Sequence, residues 1–342
     1  MVSMPASTNH TGKAVFRLDP GNSPLRHLDA ALSILVLLAV LAALAARPWI
    51  PFGPGDWAGY LFRYDQDALD LYRRGSAAFF YLAEAARATG LSAATFYLLL
   101  SISGIAIELA VFRRMREQLA LPWIALAFLI LPGFMLHDMI QLRTGLSQAM
   151  LMAALWSRID ARLGLTAVFC VLAAGFHMSA LLFIPFIFLP HLSVAGLVVS
   201  LVVLGVALPN YEDLLIKLRG VGGMGDLTLA KSASFGSIVA NAGVYVLPLL
   251  AGEWFRRRHR DLQAVYAPTA WIVLACLIFY LGLCFLPSVP DVVVVRCHQA
   301  GWFGVATLLT ILAHDRFLRW LFSLPVTLLF VVYYIHVALK PV

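Results

Sequence analysis

Charge is what this sequence has least of. Asp, Glu, Lys and Arg make up 13% of its 342 residues, about half the roughly 25% of an ordinary soluble domain. A soluble globule of this length could not cover its surface with so few charges. That excludes a cytosolic enzyme, a disordered tail and a nucleic-acid-binding module. Lysine is scarcer still, with four Lys against 21 Arg, and guanidinium suits bidentate phosphate binding better than ammonium does. Only four Cys occur (Cys170, Cys276, Cys284, Cys297), with no CxxC pair and no His at ligand spacing. They read as buried small hydrophobes, so neither a disulfide framework nor a metal site is expected. The GxSxG, HExxH, SxxK and Walker motifs are all missing, so no hydrolytic signature or ATP use is supported, and energy for any reaction has to come with the substrate.

What is present is apolar: 61% of residues are hydrophobic and mean hydropathy is +0.86. Each spanning helix needs about 20 apolar residues, and the pattern of apolar stretches and charge clusters predicts an all-α polytopic membrane protein of about eleven spans. They fall near 28–46, 91–112, 120–136, 140–156, 163–176, 178–190, 192–209, 237–255, 268–287, 299–313 and 320–338. The pair at 163–190 is short on both sides of His177 and fits either two broken helices or a re-entrant hairpin. Residues 1–27 form a polar, basic tail, and 28–342 form a single membrane domain. Ala43-Leu44-Ala45 resembles a signal-peptidase site, but the leader and the apolar run are both long for a signal peptide, and an uncleaved first span is expected.

Arginine clusters set the orientation. Arg113-Arg114-Met115-Arg116, Arg158 with Arg162, Arg256 to Arg260, and Arg316 with Arg319 recur at alternate span ends, so the positive-inside rule places them and the N-terminus in the cytoplasm. Two longer segments then face outward, near 47–90 and 210–236. In the first, Phe79-Phe80-Tyr81 and Ala83 to Ala88 predict a short helix at the interface. The second carries Gly220, Gly222, Gly223 and Gly225 without the ending of a phosphate-binding P-loop and reads as a flexible loop. No internal repeat is visible, which argues against a duplicated-half transporter.

Ionisable groups at membrane depth are costly and tend to mark sites. Four places on the outer side qualify. His137, Asp138, Gln141 and Arg143 open one span, where Arg143 is either a phosphate ligand or an interfacial anchor paired with Asp138. His177 lies in a long uncharged run, either as a core histidine bonded to a carbonyl or as a proton carrier or phosphate donor. Arg296 and His298 precede another span and suit an anionic headgroup or simple anchoring. Arg63, Asp65, Asp67, Asp70 and Tyr72 lie in the first outer loop, where the carboxylates could orient an acceptor hydroxyl, bind a metal or form a surface ion-pair network. Glu108, five residues before Arg113, reads as its snorkelling partner.

The stretches Gln141-Leu142-Arg143-Thr144-Gly145-Leu146-Ser147 and Gly175-Phe176-His177-Met178-Ser179-Ala180 resemble the EpsG/Wzy-type family of bacterial exopolysaccharide and O-antigen polymerases. Asp67, Asp70 and Tyr72 resemble that family's first outer loop, and Arg296 its late outer arginine. Arg143 is followed by Thr-Gly-Leu-Ser where Gln-x-Leu-Ala is usual. The resemblance implies transfer at the outer face of the bacterial inner membrane, joining repeat units linked to undecaprenyl diphosphate. It needs no cofactor and no metal. Arg143 and Arg296 would clamp the departing diphosphate, and His177 or Asp67 would serve as base, with His177 alternatively a donor to the diphosphate. His137, Asp138, Gln141, Arg63, Asp65, Tyr72 and His298 would support them. Expected partners are the undecaprenyl-diphosphate-linked oligosaccharide, membrane lipids, a chain-length regulator and a flippase, with no nucleic acid. Rival expectations are a polyprenyl-phosphate-sugar-dependent glycosyltransferase using Asp65 and Asp67, an O-antigen ligase, and a glycolipid transporter without a positioned base.

Overall fold

A computed structural model describes residues 24–46, 61, 64–65, 76–133, 142–188, 235–284, 298 and 301–338. Every regular element among these residues is helical. In chain order they are α1 (Pro24–Ala46), α2 (Ala77–Ala88), α3 (Ala93–Leu119), α4 (Ala125–Gly133), α5 (Leu142–Ile159), α6 (Leu163–Phe176), a 3₁₀ turn (Met178–Leu182), α7 (Ile184–Phe188), α8 (Phe235–Arg258), α9 (Gln263–Cys284), α10 (Trp302–Leu312) and α11 (Leu324–Ala338). A helical turn at Arg316–Leu318 and a π-helical turn at Arg319–Ser323 lead into α11.

Three stretches are long and apolar enough to cross a membrane: Ala93–Leu119, Ile238–Arg258 and Arg260–Cys284. Shorter apolar helices cover Asp29–Leu44, Leu163–Phe176 and Trp302–Leu312. Described helical segments overlap the expected spans on either side of residues 189–234, but the one expected at 178–190 is a 3₁₀ turn followed by a five-residue helix. The expected span at 192–209 and residues 210–234 of the expected outer loop lie outside the described residues, and the last two residues of that loop belong to α8.

Local chemistry ends each helix where the sequence permits. Gly90, at φ 75°, lets the N–H of Leu91 close back onto the carbonyl of Ala86 at 3.0 Å and stops α2. Ser92 then caps α3 by accepting the N–H of Thr95 at 3.3 Å. Between α5 and α6, Ala161 takes the left-handed conformation at φ 59° and the N–H of Arg162 returns to Ser157 at 2.8 Å. The two helices are thereby folded into a tight antiparallel hairpin. Its first arm, α5, is the centre of the bundle, buried at Thr144–Ala149 and again at Leu151–Ser157.

The chain is broken at His177, which both expected arrangements share. At about 1.5 Å per residue, the 14 residues of α6 reach about 21 Å, short of a roughly 30 Å hydrocarbon layer. The chain breaks at His177 and then continues inward as the 3₁₀ turn and α7. Phe183 packs on Phe303 at 5.7 Å, and Phe186 on Phe279 at 5.3 Å. A broken, buried segment is therefore what the sequence encodes here, as non-helical backbone at this depth requires.

All the arginine clusters gather at one end of the bundle. Arg114 at the foot of α3 pairs with Asp160 in the α5–α6 turn at 3.3 Å. His314 Nδ1 lies 2.6 Å from the carbonyl of Leu119, and His259 Nε2 lies 3.0 Å from Asp315 Oδ2. Asp29 of α1 accepts the N–H groups of Trp123 and Ile124, the latter at 2.8 Å, capping the approach to α4. The opposite end holds a separate aromatic cluster of Tyr64, Phe79, Phe80, Phe96, Tyr97 and Phe176.

Candidate active site

The antiparallel hairpin brings the start of α5 and the end of α6 to the same end of the bundle, away from the arginine clusters. Arg143 is the second residue of α5, and His177 is the first residue beyond α6. They are tied together one turn inward, where Ser147 Oγ donates to the carbonyl of Ala173 at 2.9 Å. That carbonyl also accepts the N–H of His177 at 2.9 Å.

Above this pair sits α2. Its buried residues Phe79, Phe80 and Ala83 belong to the aromatic cluster, so the helix is packed on the bundle end. Tyr81 and Leu82 remain exposed on its other side. Gly175 makes the contact close: a Cβ there would stand 3.0 Å from the Cβ of Ala78. The half-buried Arg143 donates through Nη1 to Ser76 Oγ at 2.8 Å, with its Cζ 5.8 Å from the centre of the Phe79 ring. Ser76 is the residue that precedes α2, yet its hydroxyl makes no cap hydrogen bond. A guanidinium therefore meets the positive end of a helix. Two like electrostatic poles at one place favour an anion between them.

His177 has an extended backbone, φ −154° and ψ 122°, and caps both neighbours: it closes α6 and opens the 3₁₀ turn. Its Nδ1 accepts the N–H of Ser179 at 3.2 Å and lies 2.7 Å from Ser179 Oγ. A ring nitrogen that accepts a backbone N–H carries no proton of its own. The neutral imidazole is thereby held with its proton on Nε2, and Ser179 Oγ becomes a second donor to Nδ1. In this tautomer His177 presents an N–H at Nε2.

Two more expected site residues can be placed. Asp65 is exposed beside Tyr64, whose hydroxyl donates to the carbonyl of Leu91 at 2.9 Å and whose ring stacks on Phe96 at 5.6 Å. This pins Asp65 to the same end of the bundle as Arg143. His298 is enclosed: only 6% exposed, it lies among Tyr245, Tyr280 and Trp302 at ring separations of 5.1, 4.9 and 5.9 Å. Its carbonyl accepts from the Tyr245 hydroxyl and from the N–H of Gly301, which anchors the chain leading into α10. Asp67, Asp70, Arg296, His137, Asp138, Gln141, Arg63 and Tyr72 lie outside the described residues.

Ser76, Ser147 and Ser179 are the polar partners that sequence reasoning did not single out. Ser147 was signalled by its position one turn after Arg143, and Ser179 by its place two residues after His177. Nothing in the sequence joins Ser76 to Arg143, 67 residues away. Glu108 requires a correction. It is 3% exposed and buried on α3, while Arg113 pairs with Glu117 at 3.1 Å. A spacing of four keeps two side chains on one helix face, whereas five does not.

Apolar helices, three of them long enough to cross a membrane, are bundled around a break, with Arg143 and His177 at one end. The chain matches the EpsG family over residues 31–341 and belongs to it. EpsG is a Wzy-type polymerase family, which makes this a membrane protein of polysaccharide biosynthesis, in a family associated with glycosyltransferase-like polymerisation. No curated protein and no solved structure matches the chain.

Proposed function

We propose that the protein joins undecaprenyl-diphosphate-linked repeat units into a polysaccharide at the outer face of the bacterial inner membrane. The observation that carries this reading is Arg143 set against the uncapped start of α2, at the same bundle end as the Nε2–H donor of His177. The arginine-rich end faces the cytoplasm on this reading, with the N-terminus on the same side.

In the reaction, a terminal sugar hydroxyl of one unit attacks the anomeric carbon of the other. A new C–O bond forms as the bond from that carbon to the diphosphate breaks, and the electron pair leaves with the diphosphate. Arg143 and Arg296 hold the growing negative charge, and preorganised donors of this kind are the largest single source of rate in such transfers. His177 donates from Nε2 to a leaving oxygen. The proton of the attacking hydroxyl passes to Asp67, with Asp65 beside it. A lipid diphosphate is a good leaving group, so neither a nucleotide nor a metal enters the scheme. The lipid-linked oligosaccharide is the substrate. A flippase that delivers it and a regulator of chain length are the expected protein partners.

The test is turnover of a purified lipid-diphosphate repeat unit by the detergent-solubilised protein, with and without EDTA, read on a glycan gel. A ladder that survives EDTA is expected. One added sugar, abolished by EDTA, would overturn the polymerase in favour of a single-sugar glycosyltransferase using Asp65 and Asp67.

A further inference from the structure

The arginine-rich end carries a feature the transfer reaction does not use. On α8 the exposed side chains Leu247, Leu250 and Trp254 recur at helical spacing and lead to the exposed Arg257 and Arg258. Around the π-helical turn before α11, Phe317, Trp320 and Leu321 are likewise exposed. The two faces meet where the Trp254 ring packs on Phe317 at 5.5 Å, and the Arg258 guanidinium lies 5.0 Å from the centre of the Trp254 ring. The result is one exposed apolar surface shared by two chain segments, with Trp254 and Phe317 in contact at its centre and guanidiniums along its edge.

Its charge is unbalanced. Residues 253–261 and 315–319 hold six arginines (256, 257, 258, 260, 316 and 319) against three carboxylates, Glu253, Asp261 and Asp315. Glu253 is shared by Arg256 and Arg257 at 2.6 and 2.9 Å. Asp315 is engaged by His259 at 3.0 Å and by the N–H groups of Phe317 and Leu318, leaving Arg258 at 3.9 Å. Among the described residues, Arg260 and Arg316 are exposed and make no ion pair.

We propose that this arginine-edged apolar surface binds an anionic phospholipid, its phosphate held by Arg258 and Arg316 and its acyl chains lying on Trp254, Phe317, Leu250 and Leu321. Guanidinium forks match phosphate oxygens, aromatic rings favour the headgroup level, and basic pockets between spans select anionic lipids. A soluble protein partner could reach the arginines but not the leucines a turn or more beneath them. An amphiphile satisfies both.

The experiment uses the full-length, delipidated protein in a nonionic detergent, with native mass spectrometry and thermal unfolding. The probes are phosphatidylglycerol, phosphatidylcholine with the same acyl chains, and inorganic phosphate. Phosphatidylglycerol is expected to be retained and to raise Tm, phosphatidylcholine to be lost on activation, and inorganic phosphate to leave Tm unchanged. At about fivefold per guanidinium, R258Q/R316Q weakens phosphatidylglycerol binding by roughly 25-fold. Should the double variant elute as an aggregate, R316Q alone, at an exposed and unpaired position, reads a fivefold loss. Equal retention of phosphatidylcholine, unchanged binding in the variants, or full stabilisation by inorganic phosphate would each overturn the lipid site. Neither arginine belongs to the proposed active site, so glycan-ladder formation separates a failure here from a failure of the polymerase reading.

Discussion

Ser147 and His177 share one acceptor: the carbonyl of Ala173 takes the Ser147 hydroxyl and the His177 N–H, each at 2.9 Å. A carbonyl has two lone pairs, so neither bond displaces the other. The bond from α5 fixes where α6 ends, and the end of α6 fixes where the imidazole begins.

Ser147→Ala is therefore a positioning variant. Ala173 keeps a partner and no buried group is orphaned, so the stability cost stays near 1 kcal/mol. A misplacement of a fraction of an ångström at the reacting group is expensive, and a loss of roughly tenfold in turnover is expected. Thermal unfolding and glycan-ladder kinetics on the same preparation test this. A Tm drop with full turnover would reduce Ser147 to a packing contact.

His177→Gln keeps an N–H donor at the helix break but removes the imidazole that can pass a proton on. Turnover falls by about 10² to 10⁴ if the imidazole takes part in proton transfer. Ser179→Ala leaves His177 in place but removes one of the two donors that hold its tautomer, and a smaller loss is expected. A transporter reading predicts that flux survives both changes. Substrate binding measured alongside turnover shows whether the defect lies in chemistry or in affinity.

Much of this was legible before any coordinates. The shortness of the apolar runs on either side of His177 signalled the break, and arginine spacing placed Arg143 and His177 at the opposite end from the clusters. What was not legible was rotation. Glu108 and Arg113 look like partners in a linear reading, but the helix turns Glu108 inward and gives Arg113 to Glu117. Phe79, Phe80 and Tyr81 suggest a helix on the membrane surface, yet which ring faces the bundle depends on α3 and α5 beneath it. His298 reads in sequence as an interfacial residue before a span, but Tyr245, Tyr280 and Trp302, which enclose it, are brought to it only by packing. Hydropathy reports which segments are apolar, and only packing reports which side of each is enclosed.

Arg143→Lys keeps the charge and loses the fork. A lysine cannot reach Ser76 and hold two phosphate oxygens at once, so a fall of about 10² in turnover is expected even though the site stays cationic. If Lys restores full turnover where Gln does not, the residue acts as a point charge only.

Gly175→Val tests whether α2 must sit where it does. Even a Cβ at this position stands 3.0 Å from Ala78, and the two further methyls of valine have no space without moving α2. Overpacking of this kind costs about 1–3 kcal/mol. It also shifts Ser76, so the Arg143–Ser76 hydrogen bond is lost and substrate affinity falls with stability. Gly301→Ala is the control at a distance: its Cβ would stand 2.7 Å from Cys276 Sγ, so it destabilises without touching α2. Comparable Tm losses with a KM increase only in the Gly175 variant would assign α2 to the site.

Asp315 supplies the pH test at the other end. Burial raises its pKa, but the hydrogen bond from His259 and those from the N–H groups of Leu318 and Phe317 outweigh that and hold it below the ordinary carboxylate value. A carboxylate depressed in the folded state stabilises the fold above its unfolded pKa of about 4 and loses that contribution as pH falls through the folded value. Stability is thus expected to be flat in this respect above about pH 5 and to decline in the acid range below pH 4. Asp315→Asn, which keeps an oxygen to cap Phe317 and Leu318 but carries no charge, lowers Tm at pH 7 and removes this part of the acid decline. Thermal unfolding of both proteins from pH 3 to pH 7 checks it: parallel curves would mean that the carboxylate charge at the junction of α8 and α10 contributes nothing to holding those helix ends together.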